Sequence, residues 1–176
     1  MPVPYLACMG LVASIYHLPP RVLPSIQAVE GGSPGVSHHN SNDTEDLGVM
    51  QVNTTWLWPL ARYTHTDPAT VYQRLRDDAC YNVAAAGAIM RTYLDETHGD
   101  LMLAVGNYHS HTPALNIAYQ TMVVRSAQRL FVPGGVPAMP AAVGSVAVEP
   151  VASAQRSVAQ RLALQRRLIR GDRARS

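Results

Sequence analysis

The sequence predicts a mainly helical domain broken by one irregular excursion or short hairpin and followed by a linker and a tail. Three observations predict it. At 176 residues the chain suffices for one domain with a substantial core and is too short for two ordinary ones. Apolar residues make up 47% and charged residues 15%, the balance of a chain that folds around a core, with no run long enough to cross a bilayer. Helix-start signals recur before apolar segments, whereas residues 31–48 are polar, Gly-containing and free of periodicity.

Residues 5–17 (YLACMGLVASIYH) are apolar all round, as in a helix packed into the body, and His17-Leu18-Pro19-Pro20 breaks it. A second helix is expected from Pro20 through Val22, Leu23, Ile26 and Val29 to Glu30, stopped by Gly31-Gly32. The excursion over 31–48 follows, and a long loop inside a compact domain is often functional. Asn53-Thr54 can cap a helix carrying Trp56, Leu57, Leu60 and Ala61, and Asp67-Pro68 opens another through Val71 and Leu75. Asp77 and Asp78 precede a longer helix over 80–97, whose VAAAGAIM stretch suits close packing at the centre of the domain. His98-Gly99 ends that helix, Asp100 caps one that runs to Asn107, and Pro113 opens the last, to Phe131, with Ile117, Met122 and Val123 expected on its inner face. The domain therefore spans residues 1–132. Residues 133–151 read as a Pro/Gly/Ala-rich linker, and 152–176 as a basic amphipathic helix or a disordered tail.

Charge divides at the same boundary. Residues 1–132 hold seven Arg and ten acids, a balance of minus three; residues 133–176 hold seven Arg and two acids, plus five. All 14 basic residues are Arg, which together with the abundance of Ala, Val and Pro reads as the codon bias of a GC-rich genome. The body has no basic stripe with interleaved aromatics, which argues against nucleic acid as a partner. Cys8 and Cys80 form neither a CxxC nor a metal-ligand pattern, leaving two buried thiols or one disulfide, the latter requiring an oxidising compartment. The opening MPVPYLACMG lacks a basic n-region and runs into the first helix, so no signal peptide is legible in it. His38-His39 and the His109/His111 pair lack the spacing of a zinc motif, and the NSNDTED run lacks the Gly and terminal Glu of a calcium loop; no metal is expected.

Cleaving a glycosidic bond needs an acid to protonate the leaving oxygen, and a carboxyl whose pKa is raised by burial supplies it at neutral pH. Glu30 follows the apolar face Val22, Ile26, Val29, so its carboxyl should emerge beside the core. Sixteen positions on lies Asp46, within TEDLGVMQVN, where a carboxylate, a Gly and an amide share one short segment.

The sequence AVEGG, a polar loop and then NSNDTEDLGVMQVNTTWL resembles the catalytic stretch of the lytic transglycosylases that accompany secretion systems, conjugation machinery and pili, and is similar to that of c-type lysozymes. DDACYNV and VGNYHSHTP extend the resemblance to about residues 5–125. It implies a lysozyme-like fold whose excursion lines a cleft, with Glu30 as general acid and later base. It implies that Gly48, Met50 and Gln51 line the saccharide cleft, Gly48 by letting backbone approach the sugar and Gln51 by offering an amide. Tyr108 would place its hydroxyl near the sugar or Glu30. His109 stands where many members have Asn and joins the substrate-binding candidates with no role carried over; Gly31 stands where many have Ser. The resemblance also implies that Cys8 pairs with Cys80, that no cofactor is needed, and that the protein works in the periplasm or cell envelope on peptidoglycan strands.

Two catalytic outcomes share these residues. A transglycosylase needs only Glu30 and leaves a 1,6-anhydro end; a muramidase would use Asp46 as nucleophile or stabiliser and add water. Asp46 is otherwise expected to hydrogen-bond the loop. A third possibility is a non-catalytic wall-binding assembly protein whose tail docks a secretion, conjugation or pilus machine. A single cleft is consistent with a monomer.

Overall fold

Seven helices and a small antiparallel sheet make up residues 3–132, the part of the chain described by the structure, a computed structural model. The expected linker over 133–151 and tail over 152–176 lie outside the described residues. In chain order the elements are α1 (Leu6–Ile15), α2 (Val22–Glu30), β1 (Ser37–His39), β2 (Glu45–Leu47), β3 (Val52–Asn53), a 3-10 turn (Thr54–Trp56), α3 (Leu57–Thr64), α4 (Pro68–Asp77), α5 (Ala79–Glu96), α6 (Leu101–His109) and α7 (Pro113–Phe131).

The helix starts follow their capping chemistry. Asp67 accepts from the Thr70 amide at 2.9 Å with Pro68 in the first turn of α4, Asp78 from the Tyr81 amide at 3.0 Å, and Asp100 from the Leu103 amide at 3.0 Å. Each such cap satisfies an amide that the helix itself cannot, an effect of about 1 kcal/mol. Asn53 caps in the same way but opens the 3-10 turn rather than α3 itself. Helix α2 begins two residues later than expected because Pro19–Val22 closes a turn first, the Val22 amide reaching the Pro19 carbonyl at 3.0 Å. Pro24 then falls in the first turn of α2, where its missing N–H costs nothing.

The excursion after Glu30 is a hairpin that becomes a three-stranded sheet in the order β1-β2-β3. Ser37 pairs with Leu47, His38 with Asp46 and His39 with Glu45; β3 then sets Asn53 beside Asp46 and Val52 beside Leu47. Glu45 fastens the sheet to α4, accepting from the Tyr72 hydroxyl at 2.6 Å while His39 lies 2.8 Å from its other oxygen.

Helix α5 is the hub, touching α1, α2, α4, α6 and β3. The close packing expected of its Ala-rich stretch is present: Val83, Ala85, Ala86, Ile89 and Met90 are buried, and α1 crosses at Gly87, where a Cβ would collide with Val12. Cys8 and Cys80 form a disulfide that ties the same two helices, with a Cα–Cα separation of 5.5 Å. Helix α7 packs on α2 and α6 through Asn116, Tyr119, Val123 and Ser126. The expectation for its inner face is thus corrected: Val123 is buried, but Ile117 and Met122 are 63% and 45% exposed. The buried positions recur every three or four residues, and three of the four are polar, so apolar periodicity selects the wrong side of this helix. No helix among the described residues is long and apolar enough to cross a membrane.

Candidate active site

Glu30 is the last residue of α2, and Gly31 stops the helix in a left-handed conformation at φ 64°. Ile26 and Val22, one and two turns below, are buried, so the half-buried carboxyl stands on apolar packing. Burial pushes its pKa from 4.5 up to about 7; a hydrogen bond from Tyr119 opposes the rise, and the negative charge of Asp46 adds to it. The Tyr119 hydroxyl donates to Glu30 Oε1. Tyr119 is 1% exposed, and burial together with the neighbouring Glu30 drives its own pKa far upward, so it stays a donor at any relevant pH.

Asp46 comes from the sheet, on its middle strand. Its two oxygens accept from Asn40 Nδ2 at 3.0 Å and Asn53 Nδ2 at 2.7 Å, and the Thr44 hydroxyl accepts from both amides. Asp46 therefore organises the hairpin and also lies close enough to Glu30 to act on it electrostatically.

The segment from Gly48 to Gln51 joins the two walls, but not in the way expected of it. Met50 is fully buried, so its side chain belongs to the core and does not line a cleft. Gly48 is buried at φ 67°, and a Cβ there would collide with the Leu75 carbonyl and Asn82. The close approach that demands glycine is thus to the protein's own backbone, not to a sugar. Gln51 Nε2 donates to the Gly48 carbonyl at 2.7 Å, which commits part of its amide to the turn. Gly32 packs against the same turn, where a Cβ would meet the Gly48 and Val49 carbonyls. Tyr108 donates to the Met50 carbonyl at 2.9 Å, tying α6 to the segment; burial first, then Glu30, Tyr93 and Asp46, raise its pKa well above the tyrosine norm.

Two residues that sequence reasoning missed hold this arrangement. One is Tyr119. The other is Asn82, fully buried on α5, which accepts from the Met50 amide and donates to the Leu47 and Leu75 carbonyls, each at 2.7 Å. The available signal for Tyr119 was the spacing Asn116-Tyr119-Val123-Ser126, a helix stripe with polar members; for Asn82 it was a lone amide inside an otherwise apolar run.

His109, the last residue of α6, lies exposed with its ring stacked on that of Tyr119, centroids 4.9 Å apart and planes within 4°. Although the residue is exposed, the ring loses water where it stacks on Tyr119, and this desolvation lowers its pKa, with Asp46 pulling the other way. His39 and His111 lie beside Glu45 and Glu96 at 2.8 and 2.7 Å. Among the described residues no group of His, Cys, Asp or Glu is placed to hold a metal ion. A concavity of about 350 Å³ runs along α6 and α7, lined by Met102, Ile117, Val124 and Gln128 among others, and Glu30 does not line it.

What this arrangement can do chemically is donate a proton from a carboxyl whose pKa is raised to about 7, and accept it back, with the charge of a second carboxylate, Asp46, felt at Glu30. No family model matches the chain, and no curated protein matches it.

Proposed function

We propose that this chain is a peptidoglycan lytic transglycosylase of lysozyme-like fold, cleaving the β-1,4 bond between MurNAc and GlcNAc in the periplasm or cell envelope. The observation that carries the reading is Glu30: a carboxyl at a helix end, desolvated enough to keep its proton up to about pH 7 and fixed by Tyr119. The resemblance of residues 5–125 supports the substrate class and a service to a secretion, conjugation or pilus apparatus.

In the proposed reaction the Glu30 proton passes to the glycosidic oxygen as the C1–O bond breaks, so GlcNAc leaves as the alcohol. The Glu30 carboxylate then takes the proton of the MurNAc 6-hydroxyl while that oxygen bonds to C1. The acid is regenerated and no water is consumed. Tyr119 serves both steps, its donated hydrogen bond steadying the carboxylate formed between them.

Mass analysis of muropeptides released from purified peptidoglycan tests the reading, because anhydro ends lack one water relative to hydrolytic ones. Glu30→Gln should abolish release while the protein stays folded; wild-type activity in that variant refutes the assignment, and binding without clearing by the unaltered protein favours an assembly role. The muramidase alternative has one specific observation behind it, the charge of Asp46 acting on Glu30. Asp46→Asn separates the two: a transglycosylase keeps most of its activity, a hydrolase loses about 100-fold or more.

A further inference from the structure

We propose that His109 is a positioning residue for Glu30, its imidazole clamping Tyr119 by ring stacking and keeping water from the Tyr119–Glu30 hydrogen bond. The proposal rests on reading Glu30 as the proton donor, yet it concerns a residue for which the resemblance supplies no role.

The geometry forms a short relay of contacts. The His109 ring lies parallel to the Tyr119 ring at 4.9 Å, and the Tyr119 hydroxyl donates to Glu30 Oε1. Tyr119 is only 1% exposed, while His109 is itself exposed. His109 therefore has one ring face on the tyrosine and stands between it and water. A parallel stack also fixes the rotation of the phenol ring and, through it, the direction of the hydroxyl. Glu30 has Tyr119 as its hydrogen-bonding partner at Oε1, so a swing of that ring changes both the donor and the water that reaches the carboxyl.

Neutral imidazole suits this role better than imidazolium. The titratable groups that face the stack are Glu30 from α2, Asp46 from β2, Tyr108 from α6 and Tyr119 from α7. Asp46 favours a charged ring, as does the C-terminal end of α6, but the desolvation of the face stacked on Tyr119 outweighs them and leaves His109 below the ordinary histidine value. Desolvation acts in opposite directions on the two residues, Glu30 and His109.

Carbon-detected NMR titration of the full chain, labelled at Glu side chains, reads the Glu30 carboxyl directly and needs no cleavage. His109→Ala should lower the Glu30 midpoint by about 1 pH unit, because water reaching the carboxyl relieves its desolvation, the largest cause of the raised pKa, and this outweighs the opposing rise from a weakened Tyr119 hydrogen bond. His109→Phe, which keeps a flat ring, should hold that midpoint near the wild-type value. A Glu30 midpoint unmoved in folded His109→Ala, or lowered equally in His109→Phe, overturns the proposal. Loss of the cleavage reaction itself would be seen separately, in the muropeptides of the unaltered protein, so failure of the enzymatic reading and failure of the clamp are distinct results.

Discussion

The two carboxylates of the site, one from the helical wall and one from the sheet, are the same chemical group in opposite surroundings. Glu30 stands on Val22 and Ile26 with one phenol to meet it; Asp46 lies among amides and accepts from Asn40 and Asn53. Apolar support makes the charged form costly and keeps a proton on Glu30, whereas amide donors are the partners that a carboxylate needs. The difference teaches that the division of labour between two acids is set by what lies around each: a helix end closed by a distant phenol for Glu30, and a β-strand flanked by nearby amides for Asp46.

The comparison is broken most severely by removing what holds the walls together. Asn82→Ala leaves the Met50 amide and the Leu47 and Leu75 carbonyls without their side-chain partner inside the protein, and should lower unfolding free energy by about 3 kcal/mol in urea titration. A loss under about 1 kcal/mol would mean that the segment is held by other contacts.

A second measurement isolates the desolvated wall. The folded pKa of Glu30 lies above its unfolded value, so the folded state binds the proton more tightly; this contribution is complete below about pH 4.5 and is lost as pH rises through about 7. Wild-type stability should therefore fall across that window by up to about 3 kcal/mol, less whatever solvent screens at the exposed edge of the carboxyl. Glu30→Gln, which cannot ionise, should lack that fall, keep only the opposite, upward trend that the lowered His109 pKa gives as pH rises toward 6.5, and become the more stable protein at pH 8. Parallel stability curves for the two proteins from pH 5 to 8 would contradict a buried acid.

The smallest effect sharpens the role of the phenol. Its hydrogen bond opposes the rise in the Glu30 pKa, so Tyr119→Phe should move the alkaline limb of the cleavage profile upward, by about 1 pH unit. A downward move would mean that the hydroxyl stabilises the protonated acid instead.

Much of the helical framework was legible because its signals are local. Asp67-Pro68, Asp78, Asp100 and Pro113 each mark a helix start through one side chain or one ring, and the structure places helices there. The hairpin was expected only as one option, since strands of two or three residues offer no periodicity to read. Glu30 was legible as a carboxyl ending an apolar helix face. Tyr119 was not, because its contact with Glu30 joins residues 89 positions apart and its helix turns polar residues inward. Met50 and Gly48 were expected to line a cleft; the structure shows Met50 packed in the core and Gly48 closed against Leu75 and Asn82. A residue beside a cleft and a residue under it look alike in one dimension, and only packing against Asn82 and Leu75 tells them apart.

The bridge between Cys8 and Cys80 spans 72 positions of chain. Chain-entropy reasoning assigns a loop of that size about 4 kcal/mol, a large share of what a domain this small has to keep itself folded. The surroundings thus govern how robust the protein is: reduced thiols leave α1 joined to α5 by packing alone, and oxidation closes the ring. The fold is accordingly sturdier where thiols are kept oxidised than where they are kept reduced.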